Sequence, residues 1–160
     1  MLFRLFEPKD IDLYLRWINQ KAIWEVDGIG PYQFQTVGTF KNQWERIVDW
    51  RRSWFFSIDG KDIGYVGFVS DENDDLTNEF FIVIGDMDEW GKGRGSIAME
   101  WLFDKARECQ LRELVGHVHG NNERALKFYK NLGFETVSEE PNVFVRNGQH
   151  YSQFLIRKKL

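Results

Sequence analysis

The chain has little of what a secreted, membrane-bound or multidomain protein needs. Cys109 is its only cysteine, so no disulfide can form within the chain, which suits a reducing compartment. No run of about 18 apolar residues is present to cross a membrane, and Met1–Glu7 lacks the long apolar core of a signal peptide. Without repeats or a proline-rich linker, the sequence predicts a single cytoplasmic domain over residues 1–160.

Charge is low and mixed in sign. The net charge is −4, with acids and bases interspersed, whereas general nucleic-acid binders carry basic patches. The same balance is compatible with a cationic substrate. Aromatic residues make up 16% of the chain, and such side chains both fill cores and line small-molecule pockets. We therefore expect a pocket for a small molecule, and no nucleic-acid or membrane partner. No metal is expected either.

Hydrophobic periodicity predicts elements in the order βααβββαβαββ, a mixed α/β (α+β) arrangement rather than an all-parallel sheet. Asp59-Gly60 and Asn147-Gly148 are typical hairpin turns. The predicted strands cover residues 2–7, 54–58, 63–70, 79–84, 114–119, 143–145 and 150–156, and the predicted helices cover residues 10–19, 39–51, 96–109 and 122–132.

Four boundaries of this scheme depend on local signals. Asp10 and Thr39 are expected to cap the first two helices, because short polar side chains can accept a hydrogen bond from the first turn. Most of residues 24–38 is predicted to be loop from its glycine and proline content. The polar stretch from Asp71 to Asn78 is predicted to be a turn before the central strand.

The most informative segment is glycine-rich and lies between a predicted strand and a predicted helix. Within Gly91–Gly95 every second residue is glycine, so backbone N–H groups can turn toward one point without obstruction by Cβ atoms. The following helix begins with unpaired N–H groups and a partial positive charge. Such a loop is suited to a phosphate or pyrophosphate, and Lys92 and Arg94 add cations at its rim.

A glycine loop alone also fits other sites, or a plain strand-to-helix turn. A P-loop requires Gly-x-x-x-x-Gly-Lys-Ser/Thr, and no Lys-Ser or Lys-Thr follows Gly95. A dinucleotide fingerprint has Gly-x-Gly-x-x-Gly near the first strand, whereas here the pattern is Gly-x-Gly-x-Gly in the middle of the chain.

A second motif follows in the next predicted helix. Asn122, Ala125, Tyr129, Gly133 and Phe134 have the spacing Asn-x-x-Ala-x-x-x-Tyr-x-x-x-Gly-Phe. Asn122 alone reads most simply as a helix cap. Together with Trp-Gly-Lys-Gly-Arg-Gly, this motif resembles the cofactor-binding pattern of the GNAT superfamily of N-acetyltransferases. Tryptophan before the first glycine resembles the branch that contains ribosomal-protein N-terminal and aminoglycoside 6′-acetyltransferases.

The resemblance covers nearly the whole chain and implies a fold and a cofactor. The fold would be a mixed, mostly antiparallel sheet of about seven strands flanked by about four helices, and the cofactor would be acetyl-CoA. The central strand would pair with the pantetheine arm, and the glycine loop would hold the pyrophosphate. The residues assigned to the cofactor are Ile82, Val83, Ile84, Trp90, Gly91, Lys92, Gly93, Arg94, Gly95, Ser96 and Asn122.

Catalytic roles also follow from the resemblance. Tyr129 would protonate the leaving thiolate, since a phenol of pKa about 10 can hydrogen-bond or protonate a thiolate of pKa about 8.5. The amine must lose a proton before it attacks, and Glu79 is the candidate base, with Phe80 and Phe81 as desolvating neighbours. An ordered water without any side-chain base is the alternative, and His117 and His119 are weaker candidates.

Substrate specificity is expected from residues 24–44, because binding residues collect on loops of a rigid scaffold. Carboxylates and aromatic rings in this stretch suit a cationic amine. The candidates are Trp24, Glu25, Asp27, Phe34 and Trp44.

The sequence thus predicts an acetyl-CoA-dependent N-acetyltransferase that acts on a primary amine of a small molecule or peptide N-terminus. Two other functions stay open, an inactive acyl-CoA sensor with the same fold and a glycine-loop nucleotide binder. The acceptor is not identified, and the resemblance leaves a homodimer open.

Overall fold

A computed structural model describes residues 1–27, 32–40, 51–71 and 74–160. Their strands form one seven-stranded sheet in the order β1-β2-β3-β4-β5-β7-β6. The strands are β1 (Leu2–Leu5), β2 (Arg51–Ile58), β3 (Lys61–Asp71), β4 (Asp74–Ile84), β5 (Glu113–His119), β6 (Glu135–Arg146) and β7 (Gln149–Lys159). The helices with described bounds are α1 (Ile11–Ile18), α2 (Lys21–Asp27), α3 (Arg94–Glu108) and α4 (Glu123–Asn131). This mixed, mostly antiparallel sheet confirms the predicted fold class.

Both predicted hairpin turns are present. Asp59 and Gly60 connect β2 to β3 with φ angles of 50° and 77°, and Asn147 and Gly148 connect β6 to β7 with 51° and 76°. Two successive positive φ angles match the twist of antiparallel strands. Among the described strands, only the neighbours β4 and β5 run parallel, because α3 crosses over between them.

The two faces of the sheet carry different layers. On one face, Phe80 and Ile82 of β4 pack with Met99 and Leu102 of α3 in the larger core cluster. On the other face, Phe81 and Val83 pack against the cluster that contains Trp17 of α1 and Ile23 of α2. This period-two alternation places β4 between both layers. No helix of the described residues is long and apolar enough to span a bilayer.

Asp10 lies at the start of α1, as predicted, but its carboxylate does not cap the helix. It accepts hydrogen bonds from Arg4 Nη1 (2.7 Å), Arg4 Nη2 (2.9 Å) and the backbone N–H of Glu7 (2.9 Å). Burial is the largest influence and raises the pKa of Asp10, but the hydrogen bonds from Arg4 and Glu7 and the charges of Arg4 and Lys9 together lower it. Arg4 also bonds to Asp62 at 2.5 Å, so one cation connects β1, α1 and β3.

Several predicted boundaries were wrong. Residues 24–27 are helical, as part of α2, rather than loop. Residues 37–40 are also helical, so Thr39 lies inside that segment, and reciprocal hydrogen bonds with Thr36 place the cap at Thr36. Residues 41–50 of the predicted second helix, including Trp44, lie outside the described residues, and Arg51 begins β2.

Strand β4 begins at Asp74, within the segment predicted as a turn, because these residues pair with β3 and then with β5. Strand β6 covers Glu135–Arg146, whereas only its last residues were predicted. Helix α3 begins at Arg94, two positions before the predicted start, so the third glycine of the loop is already helical.

Candidate active site

The site lies where two parallel strands separate. β4 pairs with β5 only over Thr77–Glu79, opposite Glu113–Val115. Within the described sheet, residues 80–84 continue to pair with β3 but have no ladder partner on the β5 side. Their backbone groups on that side face a cleft and can pair with an extended ligand.

A cavity of about 290 Å³ occupies this separation. Its walls come from the end of β4, the glycine loop, the first turn of α3, α4 and two apolar side chains of α2. The residues that line it are Ile23, Val26, Ile82, Val83, Ile84, Trp90, Gly91, Gly93, Arg94, Gly95, Ser96, Asn122, Arg124, Ala125, Phe128 and Tyr129. Every residue assigned to the cofactor lines this cavity except Lys92.

The glycine loop is open toward the cavity. Gly91 and Gly93 have φ angles of 77° and 76°, and a Cβ atom at either would meet nothing within 4 Å. Gly93 is the N-cap of α3 and has no side chain to cap the helix, so the first N–H groups of α3 stay available for a ligand. Glycines that no protein atom crowds, ahead of an uncapped helix, fit a phosphate group.

The cations of the loop are balanced by an acid. Glu89 accepts hydrogen bonds from Arg94 Nε (2.8 Å) and Lys92 Nζ (2.9 Å). These bonds lower the pKa of Glu89, so it carries a negative charge at neutral pH. The predicted cationic rim is therefore a three-residue ion cluster, and Lys92 is its exposed member.

Trp90 closes the end of β4. Its indole Nε1 donates to the backbone oxygen of Ile84 at 2.8 Å, and the Arg124 guanidinium lies 5.6 Å from its ring centroid. Trp90 thus satisfies the last carbonyl of the strand and holds Arg124 at the wall of the cavity. Arg124 was not predicted, because a single arginine on a helix carries no motif.

Asn122 combines two structural bonds. Its Oδ1 accepts from the N–H of Ala125 (3.1 Å), which is the N-cap of α4 favoured by the sequence, and its Nδ2 donates to the carbonyl of Val26 (3.1 Å). Asn121 and Arg146 both donate to the carbonyl of Glu25. Side chains from the β5–α4 connection and from β6 therefore fix the C-terminal end of α2 beside the cavity.

A second cavity, of about 450 Å³, lies against the first. Ile82, Val83 and Tyr129 line both cavities, so Tyr129 stands where they meet. The ring of Tyr129 is held between Phe80, with centroids 5.2 Å apart, and Phe134, with centroids 5.5 Å apart. The remaining lining residues of the second cavity are Tyr14, Tyr65, Val69, Glu79, Phe80, Phe81, His117, His119 and Gln153.

Glu79 and His117 are paired in the second cavity. Glu79 Oε1 lies 2.8 Å from His117 Nδ1, although the two residues are 38 positions apart in the sequence. The predicted desolvation of Glu79 by Phe80 and Phe81 is wrong, because the Glu79 side chain is 53% exposed. Both histidines face this cavity rather than the first one, and His119 is buried with its ring against Phe144.

Comparison with known proteins identifies the family of this chain. The sequence profile of the Acetyltransferase (GNAT) domain matches residues 1–135. The chain belongs to this GNAT family. The matched region contains β4, the glycine loop and the helix with Tyr129. The GNAT motifs of the sequence therefore lie at the walls of the two adjoining cavities.

Curated relatives match a shorter stretch. An L-amino acid N-acyltransferase of Escherichia coli is 31% identical over 62 residues, which is 39% of this chain and 36% of that protein. An L-methionine sulfoximine/L-methionine sulfone acetyltransferase of Salmonella typhimurium is 30% identical over 59 residues, which is 37% of this chain and 34% of that protein. The matches thus span about a third of each relative.

Solved structures are similar over the full length. The spermidine N-acetyltransferase of Vibrio cholerae, in complex with CoA and spermine, has a TM-score of 0.85 at 18% identity, covering 99% of this chain and 94% of that one. A structure from Salmonella typhimurium with its cofactor acetyl-CoA has a TM-score of 0.82 at 21% identity, covering 100% and 94%. At these identities the likeness concerns the fold.

Three of the substrate residues predicted for this GNAT chain, Trp24, Glu25 and Phe34, lie outside both cavities. Trp24, Glu25 and Asp27 belong to α2, where Trp24 packs edge-on against Tyr32 with ring centroids 6.0 Å apart, and Glu25 is exposed. Phe34 is 67% exposed. Among the described side chains, Trp24, Glu25 and Phe34 line neither cavity, and α2 contributes Ile23 and Val26 instead. Their role in substrate binding stays a prediction.

Proposed function

We propose that this chain is an N-acetyltransferase that transfers the acetyl group of acetyl-CoA to a primary amine by direct attack on the thioester. The observation that carries the proposal is the pair of cavities that meet at Tyr129. One cavity offers the unpaired edge of β4 and a glycine loop at a helix start, and the other offers a carboxylate and two imidazoles. A direct transfer requires two substrates on opposite sides of one reacting carbonyl.

The first cavity fits the donor. The N–H groups of the glycine loop and of the first turn of α3 would hold the pyrophosphate, and the open edge of β4 would pair with the pantetheine amides. Ile82, Val83 and Tyr129 would then surround the thioester, because they line both cavities. A backbone N–H of β4 is suited to polarise the thioester carbonyl.

The second cavity fits an amine. Glu79 supplies a carboxylate, and Tyr14, Tyr65 and Phe81 supply aromatic surface, a combination that stabilises a cation. Among the described residues that line this cavity, none is a lysine or an arginine that would bind a substrate carboxylate. We therefore infer that amines without a neighbouring carboxylate, such as polyamines, are better acceptors than α-amino acids.

The roles of the site residues follow from this placement. The ammonium of the bound acceptor loses one proton toward the Glu79–His117 pair, and its nitrogen lone pair then forms the bond to the thioester carbon. When the carbon–sulfur bond breaks, Tyr129 stabilises or protonates the sulfur. The amide nitrogen gives up its second proton, which balances the proton taken by the thiolate.

Titration calorimetry with acetyl-CoA, followed by thiol detection over a panel of amines, tests the proposal. We expect acetyl-CoA to bind, and polyamines to release CoA at least about tenfold faster than α-amino acids, since a carboxylate would meet uncompensated negative charge. Binding without release by any amine would favour the sensor function. Failure to bind acetyl-CoA, together with binding of ATP or NAD, would favour the nucleotide binder.

Substitution Glu89→Gln tests the electrostatics of the donor site. It removes the negative charge that offsets one of the two positive charges of Lys92 and Arg94, so we expect acetyl-CoA to bind about 3- to 10-fold more tightly at low ionic strength, and the gain to shrink in high salt. Calorimetry at two salt concentrations measures both effects.

Glu108→Gln is the matched control for Glu89→Gln, because Glu108 pairs with Lys105 at the end of α3, far from Arg94 at the start of that helix. Its acetyl-CoA affinity should equal that of the wild type. Weaker binding in Glu89→Gln alone would show that the ion cluster holds the loop in shape rather than opposing the phosphates.

A further inference from the structure

The hydrogen bond between Glu79 and His117 gives the two side chains different roles in removing a proton. A carboxylate has no proton to give at neutral pH, so the contact of 2.8 Å requires Nδ1 of the imidazole to carry the hydrogen. When Nδ1 is the donor in a neutral imidazole, Nε2 is the acceptor. Glu79 therefore selects the tautomer in which the other ring nitrogen can take a proton.

Both side chains are accessible to a substrate. The His117 and Glu79 side chains are 44% and 53% exposed, and both line the second cavity. Glu79 is the last β4 residue that pairs with β5, and His117 lies two positions beyond the paired stretch of β5. The pair thus bridges the two strands at the point where they begin to separate. Because the pair is exposed, it can release a proton to solvent after each turnover, as a general base must.

We propose that His117 is the proton acceptor of the reaction, taking the ammonium proton at Nε2, and that Glu79 is a positioning residue that holds its tautomer. This inference rests on the proposed function. The proton taken by Nε2 passes to water after the acetyl group has been transferred. With the second proton delivered to the sulfur through Tyr129, ammonium and acetyl-CoA give amide, CoA thiol and one released proton.

Imidazole suits this task better than a carboxylate. It is the side chain that changes charge between about pH 5 and 8, so its neutral form is abundant where an enzyme works and its conjugate acid loses the proton readily. An exposed carboxylate is a weak base toward an ammonium group whose ordinary pKa is about 10. The carboxylate instead offsets the positive charge that appears on the ring.

Other titratable groups face His117 and bear on its pH dependence. In the same cavity these are Tyr14 of α1, Tyr65 of β3, His119 of β5 and Tyr129 of α4. The ion pair between Glu113 and Arg157 lies along the same face of β5 and β7, with its nitrogen and oxygen 3.8 Å apart. Among the described residues that line this cavity, Glu79 is the only carboxylate, and it contacts His117 directly.

The pH profile of kcat/KM for the fastest amine of the panel tests the proposal. We expect His117→Gln to lower kcat at pH 7 by at least about 100-fold and to remove the acidic limb of the profile. His150→Gln, which changes an exposed histidine outside both cavities, should stay within about twofold of the wild type. If Glu79 were the base itself, His117→Gln would lose only a few-fold and keep the acidic limb.

The pH profile of Glu79→Gln distinguishes an electrostatic role of Glu79 from a merely structural one, which would not shift the acidic limb. Loss of the counter-charge makes the imidazolium less stable, so we expect the acidic limb to move to lower pH by roughly 0.2–0.7 unit while the plateau falls. A limb that vanishes in Glu79→Gln and persists in His117→Gln would overturn the assignment.

Long-range proton–nitrogen NMR spectra of the ¹⁵N-labelled protein decide the tautomer without any substrate. Above its titration, His117 should carry its proton on Nδ1 in the wild type and lose that preference in Glu79→Ala, whereas the His150 signals should not change. A proton on Nε2 in the wild type would overturn the proposal. Because these spectra need no acceptor, absence of CoA release with every amine would refute the proposed function separately.

Discussion

Replacement of Gly93 by valine is expected to weaken acetyl-CoA binding about 10- to 100-fold, the cost of one to a few lost charge-assisted hydrogen bonds to phosphate. A Cβ atom at Gly93 would meet no protein atom within 4 Å, so the added side chain would occupy the space in front of the helix start. The substitution thus excludes the phosphate rather than clashing with the protein. Titration calorimetry measures the loss of affinity.

The valine also strains the backbone, and the control has to carry the same strain. Gly60 has a φ angle of 77° against 76° for Gly93, and its Cβ atom would likewise meet nothing within 4 Å, but it lies in the β2–β3 turn. Both variants should lose about 1–2 kcal/mol of unfolding free energy, because L-residues pay this cost at positive φ. Only Gly93→Val should lose affinity. Equal affinity in the two variants would refute the phosphate site.

The donor site could be predicted because its signal is local. The alternation of Gly91–Gly95 determines where Cβ atoms are missing, and the helix that follows is read from the adjacent residues. All but one of the residues assigned to the cofactor line one cavity. The exception, Lys92, shows the limit of such reasoning, since its position beside Glu89 depends on how the loop folds back on itself.

The acceptor side could not be predicted because its contacts are distant in sequence. Glu79 meets His117 only because β4 and β5 pair in parallel in one register, and the sequence does not specify that register. Helix α2 has only seven residues, and its last carbonyls are bound by side chains 96 and 121 positions later. A helix that short depends on tertiary contacts, so glycine and proline nearby suggested a loop.

The early part of β4 and most of β6 were missed for a related reason. Polar residues start β4, and almost all of β6 is exposed, so neither segment shows the apolar alternation that predicts a strand. Each forms because a neighbouring strand supplies its hydrogen bonds, β3 for β4 and β7 for β6. Strand propensity of this kind depends on the neighbours rather than on the segment itself.

Tyr129→Phe is expected to lower kcat about 100-fold while the KM for acetyl-CoA changes by less than about threefold. The ring packs against Phe80, Phe128 and Phe134, and phenylalanine preserves that packing, so the fold and the donor cavity should persist. Only the hydroxyl is lost, at the position where donor and acceptor cavities meet. Steady-state kinetics with thiol detection measures both constants.

Tyr151→Phe is the matched control for Tyr129→Phe. It removes a hydroxyl that donates to Gln149 on the β6–β7 hairpin and leaves its ring stacked on Phe144. Turnover should stay within about twofold of the wild type, as for a surface change. Unfolding midpoints of both variants would show whether either loss reflects stability.

The acidity of the leaving thiol distinguishes the two possible roles of the Tyr129 hydroxyl. If the hydroxyl assists departure of the sulfur, the assistance matters less when the thiol is more acidic, because its thiolate leaves without a proton. We therefore expect the ratio of wild-type to Tyr129→Phe rates to shrink with an acetyl thioester of a more acidic thiol. An unchanged ratio would place the role of Tyr129 in orienting the thioester instead, since orientation does not depend on the basicity of the leaving sulfur.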